Sequence, residues 1–301
     1  MPHPELTEPA RQLETTQWQI VSLKALGDLL IALRSLDAVA PAARPRPQIL
    51  AGAHLRDFAT AMGALDRVRI LDTGPDYPAA WDYRQRGLMA CLRSLRSLRP
   101  HFSALPAHYG LVFDFFGWRE RFLAGSHRGR GLLPAANIYQ AFEKTLATLG
   151  FPARAAGSDA DLVLREGVAR VYAASRVRAK TIPGPVVEQV VRQLSGVGIP
   201  CEVIALGDEQ LQVDASVPVR RIERNFTALL DSIRGSALVV SADSLPAHVA
   251  DYFRIPTHVI SPKENEFWLP TGVFRQAAWS LFGDAAAFSD WLVNMKAESR
   301  A

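Results

Sequence analysis

Short apolar blocks alternate along the chain with longer segments whose apolar residues recur at helical spacing. Gln19–Leu23 (QIVSL) has strand length and is followed by DLLIALRSLDAV, where Leu29, Leu30, Leu33 and Leu36 share one helical face. PQILAG and RVRIL read as the next strands, with LRDFATAMGAL as a helix between them. RGLMACLRSLRSL places Leu88, Leu92, Leu95 and Leu98 on one face and arginines opposite. GLVFDFFG reads as a buried strand ending at Gly117, and NIYQAFEKTLATLG as an amphipathic helix stopped by Gly150.

After the polar stretch FPARAAGSDADLVLREG the alternation resumes. RVYAAS, CEVIALG, ALVVSA and THVIS read as strands. PVVEQVVRQLSGVG, NFTALLDSIRGS, PAHVADYF and the terminal DAAAFSDWLVNMKAE read as helices, with Gly196 expected as the residue that ends the first of these. Strands separated by helices predict an α/β protein with parallel sheets covered on both faces. A length of 301 residues suits two domains. The boundary is placed near Arg165, giving a polar, disordered tail over residues 1–16, a first Rossmann-like domain over 17–165 and a second over 166–301. In open α/β sheets ligands bind outside the C-terminal ends of the strands, so two such domains are expected to face an interdomain cleft there.

Composition narrows the class. Hydrophobic residues make up 49% and charged residues 21%, as in an ordinary globular protein. Cys91 and Cys201 are far apart and outside any CxxC pattern, which argues for a reducing compartment and against a zinc or disulfide framework. The first residues lack the apolar core of a secretory signal, and no apolar run reaches membrane-spanning length, so a cytoplasmic protein is expected. The net charge of +4 is dispersed, with no nucleic-acid-binding motif. It suits anionic substrates, or peripheral contact with an anionic membrane face.

Three segments carry candidate chemistry. In SLKALGDLLIAL a strand ends, Gly27 turns the chain and Asp28 opens a helix. Asp28 is either an N-cap or a carboxylate able to take a proton from a hydroxyl. In SADSLPAHVADYF, Asp243 and Ser244 lie at a strand end, Pro246 suits a first helical turn and His248 follows. Helix-start N–H groups with a hydroxyl and an imidazole form an anion cradle; the alternative is capping by Asp243 or Ser244, with His248 packed under the sheet. AASRVRAKTIPGP brings Ser175, Arg176, Arg178 and Lys180 before a helix, as a phosphate-binding loop or an exposed basic one. GSHRGRG, with Arg128, reads as a basic loop in the first domain.

These segments, in this order, resemble glycosyltransferase family 9, the heptosyltransferases of lipopolysaccharide core synthesis. IVSLKALGDLLIALRSL is similar to the family's opening strand, Gly-Asp and helix; YGLVFDFFGWRERFLAG to its later strand ending in Asp-x-x-Gly; ALVVSADSLPAHVADYFRIPTHVISP to its Asp-Ser/Thr-Gly-x-x-His segment. The resemblance spans about Trp18 to Gly283. It implies a GT-B fold without metal or other cofactor, whose final helix, around Trp291, packs back on the first domain. It implies inverting transfer of a sugar, heptose or similar, from a nucleotide sugar, with ADP-heptose as the best guess, to a hydroxyl of an anionic glycan or glycolipid such as the lipopolysaccharide core. Asp28 is the implied base, with Lys24 and Arg128 toward the acceptor. Ser175, Arg176, Lys180, Asp243, Ser244, Leu245 and His248 are implied at the donor phosphates, and Glu209 at the ribose. Leu245 stands where the family has Gly, Ser261-Pro262 replaces Gly-Pro, and Ser22 replaces a basic residue. The alternatives are a GT-B nucleotide-sugar-binding protein without activity, and a nucleotide-sugar epimerase of the same architecture.

Overall fold

The computed structural model describes residues 16–40, 45–76, 78–154 and 164–298. The expected tail lies outside the described residues except for Thr16, as does the SDADL stretch at residues 158–162. The described chain forms two units. Residues 16–135 and 140–154 belong to the first, and residues 136–139 and 164–298 to the second.

The first unit holds five strands: β1 (Gln17–Ser22), β2 (Gln48–Gly52), β3 (Val68–Leu71), β4 (Tyr109–Phe113) and β5 (Arg128–Gly131). All pair in parallel in the order β3-β2-β1-β4-β5. Its helices are α1 (Leu26–Asp37), α2 (Arg56–Ala61), α3 (Tyr83–Arg86), α4 (Leu88–Ser103), α5 (Trp118–Ala124) and α6 (Ile138–Thr148), the last beginning inside the segment that clusters with the second unit. Leu29, Leu30 and Leu33 of α1 are fully buried, each stabilising the fold by roughly 1.5–3 kcal/mol.

In α4 the buried face is Cys91, Leu95, Leu98 and Phe102. The predicted stripe therefore holds at Leu95 and Leu98, while Leu88 is exposed. The helix starts there, after Gly87 at φ +80°, and its first turn projects beyond the core.

Only the first three residues of GSHRGRG form a turn. Residues Arg128–Gly131 form edge strand β5, with Gly110, Leu111, Val112 and Phe113 of β4 beside Arg128, Gly129, Arg130 and Gly131. A Cβ at Gly129 would stand 2.5 Å from the Phe116 ring, so the glycines that disguise this strand are what let the ring lie against it.

The second unit carries β6 (Ala169–Tyr172), β7 (Cys201–Leu206), β8 (Val219–Ile222), β9 (Leu238–Ala242), β10 (Thr257–Ser261) and β11 (Trp279–Leu281). They pair in parallel in the order β11-β10-β9-β6-β7-β8. Its helices are α7 (Gly184–Gly196), α8 (Phe226–Arg234), α9 (Leu245–Tyr252), α10 (Thr271–Arg275) and α11 (Ala285–Glu298). Asn225 caps α8, its side-chain oxygen accepting the Ala228 N–H at 2.7 Å. Helix α7 runs through Gly196, and the left-handed residue that follows it is Gly198 at φ +76°, two positions later than expected.

The final helix contributes to the second unit's core. Phe288, Trp291, Leu292 and Met295 of α11 belong to the second unit's own core, with Val187, Val190 and Leu194 of α7. Lys296 Nζ donates to Val197 O. Helix α11 lies beside α7 and β11.

Candidate functional site

In a doubly wound sheet the chain leaves the first strand in both directions, and the loops diverge where the direction reverses. In the first unit that point lies between β1 and β4: β2 and β3 follow on one side, β4 and β5 on the other. Lys24 follows β1 and Asp114 follows β4, and they meet there, Lys24 Nζ 2.5 Å from Asp114 Oδ2. Lys24 Nζ also lies 5.7 Å from the centroid of the Trp81 ring. His54 Nε2 is 3.3 Å from Lys24 O, and burial lowers the imidazole pKa from its ordinary value, keeping the ring neutral.

Asp28 stands at the same edge, in the first turn of α1. The helix begins earlier than predicted, because Ala25 is the extended N-cap residue at φ −131°, ψ 164°, and Gly27 is already helical. Asp28 is therefore the third helical residue. Its Oδ2 reaches back to accept the Ala25 N–H at 3.1 Å, the acidic half of a capping box. The position also places negative charge at the positive end of the helix dipole.

Trp81 and Glu120 brace this edge. Glu120 is buried, and its two oxygens accept Trp81 Nε1–H at 2.7 Å and Gly117 N–H at 3.0 Å. Trp81→Phe leaves one of these buried acceptors without its donor, so chemical denaturation is expected to show a loss of about 1–3 kcal/mol. A loss within a few tenths would mean that the bond does not form.

The second unit repeats the logic. Its direction reverses between β6 and β9, with β7 and β8 on one side and β9, β10 and β11 on the other. Lys180 comes from the loop after β6 and Asp243 from the end of β9. Lys180 Nζ donates to Asp243 Oδ2 at 2.7 Å, and Asn265 Nδ2 donates to the same oxygen at 3.1 Å. Asp243 is buried while Lys180 is about one-third exposed, so the ammonium is anchored from beneath and open above.

Helix α9 opens beside this pair, with Ser244 as its extended N-cap and Pro246 in its first turn. Leu245 is the first helical residue. No glycine is required by its backbone, because the only non-glycine residues at positive φ among those described are Arg254 and Ala277. His248 is buried, its Nδ1 3.1 Å from the Tyr139 hydroxyl. Burial pulls its pKa down to about 4, Asp243 raising it and Lys180 lowering it further. It is thus an uncharged hydrogen-bonding group at neutral pH.

The remaining predicted residues divide by edge. Ser175 shapes the β6 loop, its Oγ accepting the Val177 N–H at 3.3 Å while its own N–H goes to Thr181 Oγ1 at 3.2 Å. Arg176 is exposed on that loop. Glu209 follows β7 at the same sheet edge, where Oε2 accepts the Leu206 N–H at 3.1 Å and Oε1 lies 3.8 Å from Arg224. Arg128 is not brought to Lys24 and Asp28. It begins β5 beside Gly110, at the opposite end of the sheet from Phe113 and Asp114. The parallel register forces this placement.

Tyr139, Asn265, Trp81 and Glu120 escaped sequence reasoning. Asp114 was visible as the Asp of DFFG, but without a partner. Tyr139 is placed by Asn137, whose Nδ2 donates to Glu266 O at 3.1 Å and Leu269 O at 2.9 Å, so the start of α6 is tied to second-unit loops. No short-range pattern signals such a contact. Among the described residues no three His, Cys, Asp or Glu side chains converge as metal ligands.

No family profile matches the chain, and no curated protein does. Solved structures do. E. coli heptosyltransferase WaaC with ADP is similar at TM-score 0.59 and 13% identity, over 94% of this chain and 99% of that one. E. coli ADP-heptose lipopolysaccharide heptosyltransferase II matches at TM-score 0.55 and 13% identity, over 95% and 100%. A family 9 glycosyltransferase from Veillonella parvula matches at TM-score 0.55 and 14% identity, over 88% and 85%. The chain thus has the GT-B glycosyltransferase fold.

Proposed function

We propose that this protein is an inverting glycosyltransferase that takes a sugar from a nucleotide-sugar donor, with ADP-heptose the first candidate, and passes it to a hydroxyl of an anionic glycan or glycolipid such as the lipopolysaccharide core. The observation that carries this reading is the Lys180–Asp243–Asn265 cluster at the switch point of the second sheet, beside the start of α9. Likeness to a heptosyltransferase solved with ADP supports it.

The chemistry follows from the residues. Negative charge grows on the leaving diphosphate as the glycosidic bond breaks. An ammonium already oriented by Asp243 and Asn265 stabilises that charge without reorganising. Asp243, itself an anion, would repel a phosphate, so its part is to aim Lys180. Ser244 and the Leu245 N–H supply neutral donors at the positive end of α9. In this reading Arg176 and Ser175 flank the phosphates, Glu209 meets the ribose, and His248, steadied by Tyr139, contributes a neutral hydrogen bond. Asp28 takes the proton of the attacking hydroxyl, which displaces the diphosphate from the opposite face of the anomeric carbon. Lys24 lies beside it.

Calorimetry with a panel of nucleoside diphosphates tests the donor half. ADP is expected to bind, and Lys180→Ala to weaken it by roughly 10- to 100-fold, the scale of a hydrogen bond to a charged group. Unchanged affinity would remove Lys180 from the site. The binding-only alternative is favoured by one observation: the Asp28 carboxylate already serves α1 as a cap.

A further inference from the structure

We infer that one face of the first unit, formed by α3, the start of α4 and α5, is a docking surface for an anionic lipid bilayer. Large apolar side chains are exposed there together: Met89 71%, Phe115 67%, Leu88 61% and Trp118 54%, with Phe122 and Tyr83 also exposed. They form one patch. The Arg119 guanidinium lies 5.1 Å from the Tyr83 ring and 5.2 Å from the Trp118 ring, joining α3 to the start of α5. Arg99, near the end of α4, lies 5.7 Å from the Phe122 ring, so α4 and α5 run side by side in the same direction. Scattered exposed apolar residues need no explanation; a contiguous set of this size does.

Charge identifies the occupant. From Tyr83 to Phe113 the chain holds Arg84, Arg86, Arg93, Arg96 and Arg99 and no Asp or Glu. Met89, Arg93 and Arg96 follow one exposed stripe of α4, opposite its buried face. The adjoining carboxylates are engaged: Asp82 with Arg86 at 3.6 Å, Asp114 with Lys24 at 2.5 Å, and Glu120 buried with Trp81 and Gly117. Apolar side chains with interfacial Trp and Tyr inside a field of arginines match a surface that offers acyl chains and anionic headgroups together. Among the described residues no helix is long and apolar enough to cross a membrane, so the attachment inferred is to the bilayer surface. The inference stands apart from the transfer reaction, since it concerns binding with no substrate present.

Co-sedimentation of the full chain with vesicles tests it. Binding is expected to phosphatidylglycerol-containing vesicles, weakening as salt screens the arginines, and not to pure phosphatidylcholine. Arg84→Glu with Arg93→Glu should weaken it by about fivefold or more per arginine. Leu88→Ser with Met89→Ser should weaken it by about tenfold or more. The exposed pair Arg56→Glu with Arg192→Glu, on α2 and α7 rather than on α3, α4 or α5, should cost far less. Circular dichroism melts check that the variants fold; should the serine pair unfold, the two arginine pairs still decide. Absence of vesicle binding, equal binding to neutral vesicles, or equal loss in the control pair would overturn the inference. So would a dimer in sedimentation velocity that Leu88→Ser with Met89→Ser dissociates, because a second copy would then cover the patch.

Discussion

Asp28→Asn is expected to lower turnover by about a hundredfold or more, with donor affinity and melting temperature near wild type. Asn has nearly the same shape and can accept the Ala25 N–H that Asp28 Oδ2 accepts at 3.1 Å, so the start of α1 survives. What is lost is basicity, and general-base catalysis contributes about this much. Asp28→Ala separates the two roles of the carboxylate. It removes the reach-back bond as well and should destabilise the fold by about 1 kcal/mol. Measured with the donor selected by calorimetry, an Asn variant of full activity would leave Asp28 a cap and nothing more.

Acidification from pH 6.5 to about 4 is expected to cost the fold several kcal/mol, chiefly in the second unit. His258 of β10 is fully buried, with Nε2 3.0 Å from Ser280 Oγ and the rings of Phe288 and Trp291 at 4.9 and 5.0 Å. Burial pulls its pKa down to about 3, and that of His248 down to about 4. In the unfolded chain both titrate near 6.5. Above pH 6.5 neither state holds the protons and stability is unaffected. Below it the unfolded chain takes them up while the folded one does not. Each histidine then removes about 1.4 kcal/mol per pH unit until its folded pKa is reached, on the order of 3 kcal/mol or more apiece. Urea unfolding across this window measures the slope. His258→Gln keeps a hydrogen-bonding group for Ser280 and should flatten the slope by about one proton. A slope that His258→Gln leaves unchanged would rule out His258 as a source.

The strands buried on both faces were legible in the sequence, because β1, β2, β4, β6, β9 and β10 read as short, largely apolar runs. Strands β5 and β8, RGRG and VRRI, were not. Both are edge strands, bound by backbone hydrogen bonds on one side, and their side chains need not be apolar. Strand β11, only three residues long, offered too little pattern.

The site divides in the same way. Asp28, Lys180, Asp243 and His248 could be placed near strand ends and helix starts because these are written in local order, through a Gly-Asp, an Asp-Ser-x-Pro and a basic loop before a helix. Local order also determined the α/β class and the parallel direction of the sheets. It could not show that Lys180 meets Asp243 across 63 residues, that Lys24 meets Asp114 across 90, or that Tyr139 reaches His248 across 109. Nor could it show that Arg128 opens its strand at the far end of the sheet, or that Leu88 and Met89 stand clear of the core. Periodicity reports which face of an element is apolar. What that face packs against, and which strand ends become neighbours, depend on strand order and register, and those exist only once the whole sheet has assembled.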